Sequence, residues 1–251
     1  MAGLGRMGRG AFALLIAGSL AGAAVAQAGN PVERKLLVGS FDNIQVIGDI
    51  SVSVQTGKSP SAFASGDKRM LESLKLERVG TTLRIRLQDV VNNSKGVPIT
   101  APLTVRLTTQ AIRDVTLSGN GKLDISAVRQ DNLVRMLLAG NGSITVGTLV
   151  TDRYAANIDG NGNIVLGGGS ARDAHVVIDG AGGFDGAKAS FRKLRLEHDG
   201  NAVSSATVEE QTQIFNTGAG NITIGGKGTC FIGQAGNAAI NCAKIDTGGR
   251  T

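Results

Sequence analysis

The 251-residue sequence has no tryptophan, one tyrosine and seven phenylalanines. A core with so few rings must be thin and aliphatic, which suits stacked short strands better than a thick α/β core. Histidine occurs twice, as His175 and His198. They stand in different positions of the repeat described below, so they form neither a zinc site nor a catalytic triad. The two cysteines, Cys230 and Cys242, both lie near the C-terminus. Neither stands directly after the first apolar run, which excludes a lipoprotein anchor there.

That run belongs to a targeting segment over residues 1–28. Arg6 and Arg9 form a charged start, "AFALLIAGSLAGAA" (11–24) is the apolar centre, and "AVAQA" (24–28) offers small-residue cleavage sites. The run is short of the roughly 20 residues a membrane span needs, and no later stretch is apolar enough to span. The expectation is a signal peptide and an exported mature chain, periplasmic or secreted, where a disulfide is permitted. Cleavage removes two arginines and lowers the formal net charge from +6 to +4. So small an excess reads as a solvated surface with at most weak attraction to anionic envelope polymers.

Glycine, by contrast, is abundant at 37 residues. Many of them repeat in pairs, as in "LSGNGKLDI", "LAGNGSITV" and "IDGNGNIVL". The first glycines of the motif are Gly119, Gly140, Gly160, Gly180, Gly200, Gly218 and Gly236, spaced 18 to 21 residues apart. The second members include Gly121, Gly142, Gly162, Gly182 and Gly220. A fixed period near 20 is the signature of a solenoid with one coil per repeat. Four places before each first glycine stand Val115, Met136, Ala156, Val176, Leu196, Ile214 and Ile232. Four places after stand Leu123, Ile144, Ile164, Phe184, Ser204, Ile222 and Ile240. Both columns are almost wholly apolar, and around them residues alternate with the period of two of a strand.

Each coil therefore reads as strand, corner, strand and variable loop. Glycine reaches the left-handed backbone region without steric cost, and asparagine tolerates it better than most residues. Asn120, Asn141 and Asn161 occupy the middle of three corners, where stacked amides can hydrogen-bond along the rod. At the usual strand spacing, seven coils would span about 30 Å.

Residues 40–110 lack Gly-Asn-Gly corners but keep a strand pattern in "FDNIQVIG", "ISVSVQTG", "TLRIRLQ" and "LTVRLTT". "DKRMLESL" (67–74) reads as a short helical turn and 89–102 as a loop. This segment would form N-terminal β layers capping regular coils over 111–245, in one domain spanning 40–245.

The stretches "FDNIQVIGDISVSVQTG" and "ASGDKRMLESLKLERVGTTLRIRL", followed by recurrent "SGNGKLDI" and "GAGNITI", resemble the bacterial head GIN domain family, described as putative auto-transporter adhesins. The resemblance covers about 40–240. It implies an all-β, single-stranded right-handed β-helix-like solenoid, export, and no enzymatic activity. No strands for a membrane barrel follow the repeat up to residue 251, so residence in the periplasm or release is the expectation.

The corners fail as phosphate loops. Gly160 and Gly162 are followed by Val165 where a dinucleotide fingerprint needs a third glycine, and no helix follows. Asp159, Asp179 and Asp199 precede successive corner glycines and should stack about 5 Å apart. Stacked carboxylates repel unless solvated, protonated or bridged, so the column reads as a solvated acidic edge, with calcium as the cation it could hold. The calcium nonapeptide pattern is missing, since Cys230 stands where its aspartate belongs. The same spacing approaches that of glycosidase carboxylate pairs, but aromatic platforms for sugar are absent. His198 interrupts a column of Leu117, Leu138, Ile158 and Ile178, a departure that suggests a partly open wall. Arg153, Arg172 and Arg192 lie near the variable loops with Asp152 and Asp173 beside them, which reads as charge balance. Nucleic-acid binding is unsupported without aromatics to stack on bases. Cys230 and Cys242 stand six places either side of Gly236, with inward parity, and should form a disulfide across the final coil.

The leading reading is an exported non-enzymatic solenoid, without cofactor, that binds envelope polysaccharide or another surface protein. The alternatives are a structural or stress-related periplasmic protein without a dedicated ligand, and a polysaccharide-active enzyme using the aspartate edge.

Overall fold

The computed structural model describes residues 32–88 and 101–246. The expected signal peptide and nearly all of the 89–102 loop lie outside the described residues. The rest is strand apart from one short helix and the turns.

The repeat places parallel strands in register, coil on coil. Strand β8 (Asp114–Ser118) leads into the corner at Gly119, and β9 (Lys122–Gly140) leaves it. β10 (Ser143–Gly160), β11 (Asn163–Leu166), β12 (Gly169–Gly180), β13 (Gly183–Gly200) and β14 (Val203–Asn216) continue the winding. β15 (Ala219–Gly226), β16 (Thr229–Gln234), β17 (Asn237–Cys242) and β18 (Ile245–Asp246) complete it.

Two of the resulting walls match the columns read from the sequence. In the leading wall, Val115, Met136, Ala156, Val176, Leu196, Ile214 and Ile232 are successive partners. In the trailing wall, Leu123, Ile144, Ile164, Phe184, Ser204, Ile222 and Ile240 are successive partners. Parallel pairing at one register lets identical positions stack. Each apolar residue is then buried by the coils above and below rather than by its own coil.

The expected variable loop is instead a third wall of short strand. Val128, Leu149, Gly169 and Ala189 are registered partners there, as are Thr151, Ala171, Phe191 and Val208. Each pass contributes only about two inward residues, flanked by charged Arg129, Asp152 and Arg172. Two alternations are too few to distinguish strand from loop by period. The third wall also encloses a cluster of the scarce aromatics. Tyr154, Phe184 and Phe191 have centroids 6.2 to 6.5 Å apart. The buried Tyr154 hydroxyl donates to Met136 Sδ at 3.5 Å, and burial holds its pKa far above the ordinary value.

The N-terminal part is not stacked in chain order. β2 (Asn43–Ile47) pairs in parallel with β6 (Thr82–Leu87) on one side and β8 on the other. β3 (Ser51–Thr56) likewise lies between β7 (Thr104–Thr109) and β9. The first coil in sequence is thus the second in space. Between them the chain forms β4 (Ser61–Gly66), antiparallel to β7, and then α1 (Lys68–Ser73). β5 (Leu74–Val79) follows, antiparallel to β6. β1 (Val32–Leu36) pairs antiparallel with β4. Asp67 caps α1, accepting from the Arg69 amide at 2.9 Å, and Leu71 and Leu74 are buried under the end of the rod.

These layers lack Gly-Asn-Gly corners, as read from the sequence, but they possess a corner of another composition. Gly48-Asp49-Ile50 underlies Gly119-Asn120-Gly121, and the Asn120 amide donates to Asp49 Oδ1 at 3.0 Å. With Asp in place of Asn and Ile in place of the second Gly, the motif is invisible to a search for paired glycines.

The corners explain their glycines by close approach. Gly160 has φ +114°, and a Cβ there would lie 2.7 Å from the Gly140 carbonyl oxygen. A Cβ on Gly162 would lie 2.6 Å from the Gly142 oxygen and 2.7 Å from Leu138 Cδ2. The turn and the coil spacing together leave no room for a side chain. Above the corner backbone, Asn141 Nδ2 donates to Asn120 Oδ1, and Asn161 Nδ2 to Asn141 Oδ1, both at 2.9 Å. Ala181 ends the ladder.

Cys230 and Cys242 form the disulfide across the final coil, joining the leading wall to the trailing wall.

Candidate binding surface on the leading wall

The residues that alternate with the buried column of the leading wall form a flat outer face of parallel rows. One row runs Asp114, Arg135, Ala155, His175, Arg195, Gln213. The next runs Thr116, Leu137, Asn157, Val177, Glu197, Phe215. The third, nearest the corner, runs Ser118, Ala139, Asp159, Asp179, Asp199.

In the first two rows a small residue meets large ones. Ala155 forms the floor of a groove of about 370 Å³ walled by Arg135 and Leu137 from the coil below and His175 and Val177 from the coil above. Leu137 is 40% exposed. The lining is mainly apolar and the rim is ionic. Asp114 lies 3.5 Å from both Arg113 and Arg135, so one carboxylate is shared by two guanidinium groups. On the other rim Glu197 Oε1 meets Arg195 Nε at 2.5 Å and His175 Nε2 at 2.9 Å. The Arg195 hydrogen bond, followed by that of His175, holds the Glu197 carboxyl below its ordinary pKa. Arg113 also lies 3.5 Å from Asp42, so the charges on that side are balanced.

The sequence reading did not single out Leu137, Ala155 or Val177. A signal was present. "MLL" (136–138) and "VVI" (176–178) break the alternation, placing an apolar residue at an outward position.

The predicted aspartate column exists as a line of registered neighbours. Asp159 pairs with Asp179, and Asp179 with Asp199, all exposed beside the corner. Thr217 donates to Asp199 Oδ1 at 2.9 Å. Among the described residues, no group of three or more His, Cys, Asp and Glu side chains is gathered so as to hold a metal ion. The arginines are balanced by acids. Arg172 lies 3.1 Å from Asp173 and 3.8 Å from Asp152, Arg192 lies 2.6 Å from Glu210, and Arg153 is registered beside Asp173. Arg172 and Arg192 line a polar groove of about 600 Å³ outside the third wall, with Asp131, Asp152 and Glu209.

His198 does not mark an open wall. It is 3% exposed, and its Nε2 lies 2.8 Å from Oγ of Ser204, itself 2% exposed. Desolvation lowers its pKa from 6.5 to about 4. A base next to a hydroxyl is the geometry of an activated serine, but both groups are sealed in the core, beyond reach of any substrate. The pair is a buried polar contact in an otherwise apolar column.

The sequence model of a family described as putative auto-transporter adhesin, head GIN domain, matches residues 40–228. A comparison with curated proteins found no match. Among solved structures, a putative adhesin from Bacteroides fragilis superposes with TM-score 0.68 at 16% identity, covering 87% of this chain and 98% of that one. A putative adhesin from Parabacteroides merdae gives 0.59 at 16%, covering 85% and 96%. A putative lipid binding protein from Parabacteroides distasonis gives 0.61 at 18%, covering 85% and 96%. At these identities the likeness is one of fold.

Proposed function

Because the chain belongs to the head GIN domain family of putative auto-transporter adhesins, we propose that it is an exported, non-enzymatic binding module whose contact surface is the outer face of the leading wall. The observation that carries this reading is the apolar groove around Ala155, set in an otherwise polar flat face and rimmed by Arg135 and His175. A rigid parallel wall presents such a depression with little loss of conformational entropy on binding. The apolar lining holds no aromatic ring on which a sugar could stack, which favours a surface-protein side chain over envelope polysaccharide as its occupant. The exposed aspartates stand outside this groove, and nothing in their surroundings sets one apart as a buried acid.

The disulfide and the N-terminal targeting pattern support export to an oxidising compartment. Fractionation together with protease accessibility on whole cells distinguishes periplasmic residence from surface display. The binding role is tested by pull-down from envelope extracts with the mature protein and with Ala155→Arg, which fills the groove from an outward position. Recovery of one partner by the parent chain and its loss with Ala155→Arg is the expected result. Equal recovery by both removes the groove as the contact surface, and activity on acidic polysaccharides would favour the enzymatic alternative.

A further inference from the structure

The two ends of the rod are built differently, and we infer from the difference that the C-terminal coil is a self-association surface, pairing β17 with β17 of a second copy across a two-fold axis. At the N-terminal end the core is closed by α1, with Leu71 and Leu74 buried beneath it. The outermost strands there are charged. β1 carries Glu33, Arg34 and Lys35, and β5 carries Lys75, Glu77 and Arg78. Charges on edge strands prevent them from templating another chain. Several are further engaged, with Arg106 bound to Glu33 and Arg86 bound to Glu77.

The C-terminal end has neither device among the described residues. β17 reads Asn-Ala-Ala-Ile-Asn-Cys, without a charge, and is registered with β15 on one side only. Ile232, Ile240 and Cys242 point inward yet are only half-buried, because no further coil among the described residues lies over them. Phe231 and Ile245 at the same end are 37% and 46% exposed. A solenoid needs a polar terminal repeat to stay dispersed, and none is present at this end among the described residues.

Three features favour a second copy as the occupant. The blocked N-terminal end excludes head-to-tail stacking, which leaves a closed end-to-end contact in which the same patch meets itself. Antiparallel pairing of two identical strand edges needs only backbone groups, and on β17 no like charges are brought together. The charges that flank the edge, Lys244 and Asp246, are of opposite sign, so the two ends do not repel. One dimer would present two leading walls, and a pair of weak sites on one particle gains avidity.

The test is sedimentation equilibrium of the oxidised mature protein from low to high micromolar concentration, combined with hydrogen exchange at both extremes. The expected result is a dimer in equilibrium with a monomer, with the β17 amides that do not bond to β15 protected only at high concentration. Ala239→Lys with Asn241→Lys, both on exposed positions of β17, should abolish the dimer and leave the thermal melt of the dilute protein unchanged. Val79→Lys on β5 should leave the dimer intact. A protein that stays monomeric throughout, or a dimer indifferent to the β17 lysines, overturns the inference. So does protection of those outward-facing amides in a monomer. The exchange experiment uses the parent chain alone, so it decides the matter even if the lysine variant fails to fold.

Discussion

The Nε2 of His198 lies 2.8 Å from the Oγ of Ser204, across the corner at Gly200 and inside the core. His198 sits above Ile178 and below Asn216 in its column, and Ser204 lies between Phe184 and Ile222 in its own. A polar pair in place of two aliphatic residues is tolerated because each satisfies the other, although His198 Nδ1 is left without a partner among the described residues.

This pair makes stability depend on pH. The folded-state pKa of His198 is lowered to about 4 from 6.5, so the unfolded chain takes the proton first as pH falls. Its contribution is therefore complete above about pH 6.5, declines as pH drops, and levels off near pH 4. Urea titrations across this range should show the decline. In His198→Leu with Ser204→Ala the part due to this histidine should vanish, with little change in stability at neutral pH because both partners are replaced together.

Substitution of a corner glycine should be severe. Gly160→Ala adds a Cβ at 2.7 Å from a backbone oxygen and at a positive φ, so neither a rotamer change nor a small shift relieves it. A loss of at least about 2 kcal/mol is expected from strain and overpacking together. Asn141→Ala at the neighbouring position creates no clash and serves as the comparison.

The Asn ladder should contribute modestly. Asn141 both donates to Asn120 and accepts from Asn161, so Asn141→Ala removes two side-chain bonds on an exposed edge. A cost of about 1–2 kcal/mol is expected. Asn201→Ala, beyond the break at Ala181, should cost less. Chemical denaturation of the two variants in parallel checks the ranking.

Loss of the disulfide should loosen the end of the rod first. The bond closes a short loop, with a sequence separation of 12, and its removal should cost about 2–4 kcal/mol. Hydrogen exchange of Cys230→Ala with Cys242→Ala should show faster exchange in β16 and β17, while the Tyr154–Phe184–Phe191 region keeps its protection. Uniform acceleration along the chain would show that the final coil holds the whole stack.

Filling the groove tests the surface without touching the core. Ala155→Arg points outward, so the melting temperature should change by no more than about 2 °C, while any partner captured by the parent chain should be lost. A large fall in melting temperature would show that Ala155 supports the wall itself.

The sequence determined the coil. Its period, the two apolar columns, the glycine corners and the inward parity of Cys230 and Cys242 all follow from rules that act within one repeat, because alternation and positive-φ glycine are local. Three things were settled only in the tertiary structure. The third wall contributes too few inward residues per pass to show a period. The layer order, with β2 and β3 inserted between β6–β7 and β8–β9, depends on pairings up to 71 positions apart, which no local pattern encodes. The groove at Ala155 arises because residues 20 positions apart become neighbours on one face. A small residue is a depression only when its stacked neighbours, Arg135, Leu137, His175 and Val177, are large.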